Sequence, residues 1–427
     1  MLLKIRLNQK SVQEIHAHDR GRLLVITGAR QTGKSTLARM AFPGYDVVNL
    51  DSPVERALYE RWAPAEWISR YPRAVIDEAQ KLPAIFDTIK ACYDRNPDVR
   101  YVLLGSSQIL LMKGVRETLA GRAALRELFP FSLPELIAEP GIEPVESRLV
   151  RMLRAASPMR SFPDLFPADL SLRGETATAK RAWERLSTSG GMPALHAESW
   201  TDEDRREWLR DYQTTYLQRD LADLARLDRL EPFARAQKAA ALRASQPVSF
   251  ADLARLADVS PPTAKQFMQY LEVSYQVFWL PAWSRNAEKR LVKRPKLHFV
   301  DPGLRRVVAG ASGEVTGAEL EGAVAAEVWK QVRTAKLELE LTHLRTVDGR
   351  EVDLLIERED GYFALECKRT DRVHGADFKH LRGLEQLLDK PLLAGIVVSQ
   401  AAEARTHDGI GDRFFSAPAW SLLGSSP

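Results

Sequence analysis

The run Gly28-Ala29-Arg30-Gln31-Thr32-Gly33-Lys34-Ser35 fits the pattern GxxxxGK[ST], directly after the apolar stretch Leu23 to Thr27 and directly before the helix-forming Thr36-Leu37-Ala38-Arg39-Met40. Glycines let such a loop curl until its N–H groups and the helix N-terminus surround phosphates. The Lys34 ammonium then reaches the outer phosphates and the Ser35 hydroxyl holds Mg²⁺. Residues Gly28 through Thr36 are therefore the expected nucleotide site. Ala74-Val75-Ile76-Asp77-Glu78 reads as a short buried strand ending in two carboxylates. Asp77 is expected in the Mg²⁺ shell and Glu78 as the group that polarises attacking water. Alone, the pair fits a solvated turn equally well; standing some 40 residues after a complete phosphate loop, it reads as the second half of the same site.

Tyr101-Val102-Leu103-Leu104-Gly105-Ser106-Ser107 is another apolar run closing in small hydroxyls. One of these serines, taken here as Ser106, is placed to sense the terminal phosphate or the water; the alternative is a cap on the next helix. Arg122, closing Ala120-Gly121-Arg122, is either a surface arginine or a cation projected into a neighbouring subunit's nucleotide to neutralise transition-state charge.

A second chemically capable set lies near the other end. Gly349 to Ile356 and Tyr362 to Lys368 alternate as two strands joined at Asp360-Gly361. Alternation puts Glu366 and Lys368 on one face, with Asp353 able to meet them from the partner strand. Two carboxylates would hold a divalent metal, and the ammonium would orient or deprotonate water. Glu321, on the helical run Ala318 to Gln331, is a further acid, and Gln386 lies on a later helix. The bland alternative is an exposed cross-strand charge cluster. The D…ExK arrangement resembles the restriction-endonuclease core, which implies a nuclease-like domain that either cleaves or has kept only binding.

Between these sets, Phe250, Leu253, Ala254 and Ala257 recur at helical spacing, Asp258-Val259 turn the chain, and Ser260-Pro261 open a second helix with Ala264, Phe267, Met268 and Leu271 inward. Outward lie Thr263, Lys265, Gln266 and Gln269, able to meet phosphates and base edges, with Tyr275 to Leu280 as a wing strand. Packing between domains is the other use of such a segment. Downstream, Arg285, Lys289, Arg290, Lys293, Arg294, Lys296, Arg305 and Arg306 stand against only Glu288 and Asp301. That local excess favours nucleic acid, with Lys289, Arg290, Lys293 and Arg294 as phosphate contacts.

The elements that must position these groups follow from patterning. RLLVITG, YDVVNLD, RAVIDE and RYVLLGSS read as buried strands alternating with helices, hence βαβ units and a parallel sheet. Proline-broken text around a basic helix follows, then long helices, the helix-turn-helix and a separate α/β unit. The expected domains are 1–135 (P-loop core), 136–204 (lid or linker), 205–310 (helical and winged-helix region) and 311–427 (nuclease-like α/β domain).

GARQTGKSTLAR, RAVIDEAQKLP, YVLLGSSQILL, TLAGR and FPFSLPEL together resemble the AAA-type ATPases of bacteria and archaea, more narrowly those joined to a C-terminal "domain of unknown function 4143". Gly190-Gly191-Met192-Pro193, Tyr216-Leu217-Gln218-Arg219-Asp220-Leu221 and His298-Phe299-Val300-Asp301-Pro302-Gly303 extend the resemblance across residues 4 to 400. It implies an ATP- and Mg²⁺-using AAA+ core. The expected function is an oligomeric, DNA-dependent ATPase, with a hexamer as the candidate assembly; the alternative is a nucleotide-controlled switch gripping a protein partner.

Composition bounds these readings. The 427 residues are 45% hydrophobic and 28% charged, values of globular protein rather than disordered or collagen-like chains. No apolar run approaches the roughly 18 residues of a membrane span, and MLLKIRLNQK lacks the long apolar stretch of a secretory signal, so a soluble cytoplasmic protein is expected. Cys92 and Cys367 supply neither a disulfide framework nor a zinc set. A net charge of +4 does not by itself call for nucleic acid.

Overall fold

The computed structural model describes residues 4–105, 108–160, 162–167, 174–219, 230–286, 288, 290, 293–407 and 409–425. They form two compact units, one of Ile5–Pro130 with Val273–Tyr275, the other of Phe131–Glu272 and Gln276–Pro427 with Met1–Lys4.

In the first unit β1 (Leu23–Thr27), β2 (Asp46–Asn49), β3 (Arg73–Asp77), β4 (Arg100–Leu104) and β5 (Ala123–Glu127) make one sheet, in the order β2-β3-β4-β1-β5, with every neighbouring pair parallel. Interior strands are unbroken apolar runs because both faces are covered. Leu23 and Val25 share a core with Ile76, Phe86 and Leu103, while Leu24 and Ile26 share another with Leu37, Ala38 and Val102. Two expectations change. β2, read as buried, is the sheet edge, with Val47 52% exposed. β5, for which the sequence gives no apolar run, is held in place by its register with β1, from Leu23↔Ala123 to Thr27↔Glu127. Since all strands run one way, the residues following β1, β3 and β4 emerge at one edge, where open α/β sheets bind ligands.

The larger unit contains the helix-turn-helix, Phe250–Ala257 and, up to Glu272, Pro261–Val273, turned at Asp258 with φ 55°. An antiparallel ribbon of β6 (Val277–Leu280) and β7 (Lys296–Phe299) follows. Six strands, β8 (Glu340–Arg345), β9 (Glu351–Arg358), β10 (Gly361–Cys367), β11 (Leu392–Ser399), β12 (Arg405–Thr406) and β13 (Phe414–Pro418), form a mixed sheet ordered β12-β13-β11-β10-β9-β8. Leu320, Val324 and Val328 of the helix Gly317–Thr334 share a core with Leu354, Ile356, Phe363 and Leu365 of that sheet. The β9–β10 turn lies at Glu359-Asp360, one residue before the expected place, because Arg358 still pairs with Gly361. Arg358 is kept in the strand by its guanidinium, which donates to the Leu153 and Ala155 carbonyls at 3.0 and 2.7 Å.

The two compact units part at Pro130/Phe131, for a reason visible in the packing. The Leu133 N–H donates to Glu327 Oε2 at 2.8 Å and Lys330 Nζ donates to the Phe131 carbonyl at 3.0 Å, with Glu327 and Lys330 ion-paired and buried. The stretch from Phe131 onward is thus claimed by the helix Gly317–Thr334. Residues of the segment expected as lid or linker also pack within this unit; Arg148 Nη1 donates to the Ser421 carbonyl at 2.9 Å. Two of the motifs noted above form one internal joint. Asp301, whose burial holds its carboxyl above the usual range, accepts from the Gly191 and Leu304 N–H groups at 2.7 and 3.0 Å. Gly190 has φ 88°, and a Cβ there would run into the Asp301 carboxylate. Among the described residues no helix is long and apolar enough to cross a membrane.

Candidate nucleotide site and a buried acidic centre

At the carboxyl edge of the first sheet, β1 exits through Gly28, where a Cβ would run into the Leu128 carbonyl, so only glycine lets the loop pass β5 this closely. The loop is braced from outside itself. Arg6 donates to the Thr32 carbonyl at 2.8 Å and to the Phe129 carbonyl at 2.5 Å, and Thr32 Oγ1 donates to the Ala29 carbonyl at 2.9 Å. Arg30 and Thr36 are half-buried, and Gln31 is exposed at φ 61°. Lys34 opens the helix Lys34–Ala41, is buried, and donates to the Gly28 and Ala29 carbonyls at 2.9 and 2.7 Å. Its ammonium is thereby held over the loop whose amides would meet phosphate.

Ser35 Oγ donates to Asp77 Oδ2 at 2.5 Å. A hydroxyl and a carboxylate meeting beside a phosphate loop are the donors a Mg²⁺ ion takes along with nucleotide phosphates, so the residues present fit that ion. Asp77 Oδ1 accepts the Glu78 N–H at 3.0 Å, and Glu78 sits at φ 57°. Gln80 Nε2 donates to Glu78 Oε2 at 2.6 Å. The sequence reading missed Gln80, whose only signal is its place two residues after the carboxylate pair.

Tyr275 was also missed. Its hydroxyl stands 2.6 Å from Thr27 Oγ1, the last residue before the loop, and donates to Glu127 Oε1 at 3.1 Å. Nothing local in the sequence marks a contact spanning 248 positions. Ser106 lies outside the described residues. Arg122 precedes the first β1–β5 pair while the loop follows the last, a strand length of roughly 16 Å away. Within its own chain Arg122 cannot serve that site, and it pairs with Asp94 at 3.1 Å.

In the larger unit the structure gathers Glu321, Asp353, Glu366 and Lys368. Asp353 and Glu366 stand opposite each other one step beyond the pair Leu365↔Leu354, and Lys368 Nζ donates to Glu366 Oε1 at 2.7 Å. Gln386 is exposed on a short turn and is not among them. A residue the sequence reading had counted only as part of a basic run joins this set. Lys296 Nζ lies 2.8 Å from Glu321 Oε1, 3.0 Å from Glu351 Oε1 and 3.1 Å from Asp353 Oδ1, with its side chain 0% exposed. Those carboxylates raise its pKa despite burial. Burial, then the Asp353 charge, push Glu321 up to about 8 and Glu366 up to about 7. Among the described residues no three His, Cys, Asp or Glu side chains converge on a common metal position.

The remaining basic residues divide. Lys265, Gln266 and Gln269 are exposed on the second helix of the helix-turn-helix, as are Lys293 and Arg294 downstream. Arg294 lies 3.4 Å from Asp252. Arg290 is turned onto Glu340 and Glu357 at 2.8 and 3.1 Å, and Arg305 and Arg306 onto Glu319 at 2.6 and 2.9 Å. The run is therefore not a continuous solvated stripe among the described residues; Lys289 lies outside them.

A family model described as "AAA domain" matches residues 20–137, "Domain of unknown function (DUF8612)" matches 180–315, and "Domain of unknown function (DUF4143)" matches 316–420. Uncharacterized proteins of Mycobacterium tuberculosis (strain H37Rv) and Mycobacterium bovis are each 28% identical over 362 residues, covering 82% of this chain and 71% of the relative. Among solved structures, a Walker-type ATPase of Pyrococcus abyssi is 14% identical with a TM-score of 0.40, covering 72% of this chain and 99% of that one. A protein of Vibrio cholerae is 11% identical with a TM-score of 0.18, covering 88% of each chain.

Proposed function

Because the chain joins an N-terminal AAA domain to a C-terminal DUF4143 domain, we propose that it hydrolyses ATP and couples turnover to DNA, working as a homo-oligomer in the cytoplasm. The observation that carries the hydrolytic part is the meeting of Ser35 with Asp77 at 2.5 Å beside Lys34, with Glu78 held separately by Gln80. The loop amides and the Lys34 ammonium bind the phosphates, and Mg²⁺ held by Ser35 and Asp77 would neutralise their charge. Glu78 orients the attacking water and takes its proton; Gln80 fixes the carboxylate that does so. Arg122, out of reach of its own nucleotide, is assigned to a neighbouring subunit's site.

The DNA part rests on Lys265, Gln266 and Gln269, exposed where a recognition helix would present them, and on Lys293 and Arg294. Tyr275, two residues past that helix, bonds to the residue before the phosphate loop and offers a route for coupling. A protein-partner switch is the second reading, favoured by the inward pairing of Arg290, Arg305 and Arg306.

The test is ATP turnover over single-stranded, duplex and branched DNA at low salt, with Lys265→Glu/Gln269→Glu as the control. Stimulation by DNA that this variant loses supports the first reading. No DNA binding on any form, in a protein that still hydrolyses ATP, supports the second.

A further inference from the structure

The D…ExK resemblance implies a divalent cation between Asp353 and Glu366, and the residues present do not fit one. Lys296, reaching in from β7, donates to three carboxylates at 2.8 to 3.1 Å, which uses all three N–H bonds of an ammonium. Asp353 Oδ1 faces the Lys296 ammonium, the ground on which this carboxylate differs from Asp77, and its Oδ2 accepts the Cys367 N–H at 2.9 Å. Glu366 Oε1 is committed to Lys368, which leaves its buried Oε2 as a single oxygen without a hydrogen-bond partner where a Mg²⁺ ion needs about six ligands. A Mg²⁺ ion needs carboxylate oxygens at about 2.0–2.1 Å, so on Asp353 Oδ1 it would have to stand almost where the ammonium stands.

Lys296 is not a side chain poised to swing aside. Its stem is wholly buried, and its backbone pairs with Leu280 in β6 and bridges to Pro247. Lys368 brings a second ammonium onto Glu366, and the protons favoured on Glu321 and Glu366 by burial meet charge that the two ammoniums leave over.

We infer that Lys296 is the resident cation of this centre: an intrinsic ammonium replaces the divalent metal, so the C-terminal core neither binds Mg²⁺ there nor activates water on it. The lysine comes from the segment matching DUF8612 and its carboxylates from the segment matching DUF4143. The centre therefore joins the β6–β7 ribbon to the six-stranded sheet.

The experiment is a Mn²⁺ titration of the nucleotide-free full chain, followed by the electron paramagnetic resonance of free Mn²⁺. Wild type and Glu366→Gln should take up the same number of equivalents, since neither has a metal at this centre. Lys296→Met should gain one equivalent per chain, and adding Asp353→Asn should remove it. An equivalent present in wild type and lost with Glu366→Gln overturns the assignment, as does a folded Lys296→Met that gains none. If Lys296→Met does not fold, the wild-type and Glu366→Gln comparison decides alone. DNA nicking by wild type with Mg²⁺ or Mn²⁺, abolished in Glu366→Gln, also overturns it.

Discussion

Two centres in this protein place a lysine beside carboxylates at strand ends, and they differ in what the lysine holds. Lys34 donates to two neutral main-chain carbonyls, and the nearby hydroxyl and carboxylate bond to each other. Phosphate oxygens offer that ammonium a stronger, charged partner than a carbonyl, so exchange on ligand arrival is favourable. Lys296, itself wholly buried, already holds three carboxyl groups, of which those of Glu321 and Asp353 are only 13% and 12% exposed, and any ligand must first part that arrangement. Residue types alone do not separate a binding site from an internal lock; the partners of the charged group do.

Breaking the nucleotide centre should give the largest effect. Glu78→Gln is expected to lower ATP turnover by about 10²–10⁴-fold with nucleotide affinity retained, because it removes a proton acceptor and leaves the phosphate contacts. Unchanged single-turnover rates would remove Glu78 from that role. The contrast between the lysines is sharpened by paired variants read in denaturant. Lys296→Met should destabilise the larger unit by about 3–5 kcal/mol, since it strands buried carboxylates. Lys34→Met should abolish nucleotide binding at a smaller cost to the first unit, since it gives up bonds to the Gly28 and Ala29 carbonyls rather than three carboxyl groups.

A pH series gives a smaller effect with a definite sign. Glu321 and Glu366 have folded-state pKa values of about 8 and about 7, above the ordinary 4.5. Their protonated forms are therefore favoured by folding, and the stability they add is present at low pH and lost as pH rises through those values. Stability of the larger unit should fall by up to about 1.4 kcal/mol per pH unit for each group across that window. Glu321→Gln should flatten the decline, and a wild type whose melting is level from about pH 5 to about 8 would refute it. The smallest change is expected from Tyr275→Phe, which removes the bonds to Thr27 and Glu127 at roughly 0.5–1.5 kcal/mol. It should weaken DNA stimulation of turnover and spare basal turnover; equal loss of both would make Tyr275 merely structural.

How much could be read beforehand follows the range of the signal. The phosphate loop, the acid pair and the interior strands β1, β3 and β4 are local, because a strand buried on both faces must be continuously apolar and a phosphate-binding turn must have its glycines in fixed places. β5 was illegible because its half-buried AALRE owes its place to pairing with β1. The parting of the units at Pro130/Phe131 is non-local in the same way: the Phe131 and Leu133 main chain bonds to Lys330 and Glu327, about 200 positions on.

The sequence by itself placed the candidate nucleotide residues of the first unit, since eight consecutive residues and one strand end carry the pattern. It also determined that Asp353, Glu366 and Lys368 would share one face, since strand alternation fixes faces. Tertiary structure alone decided what that face does. Lys296 stands 57 positions before Asp353, in a run that reads as a basic surface, and only the packing of β7 beside the six-stranded sheet brings its ammonium to the carboxylates. A charge is read from sequence as a residue type; whether it faces water, a ligand or another charge is set by which distant elements bury it together, because burial makes an unpaired charge too costly to keep.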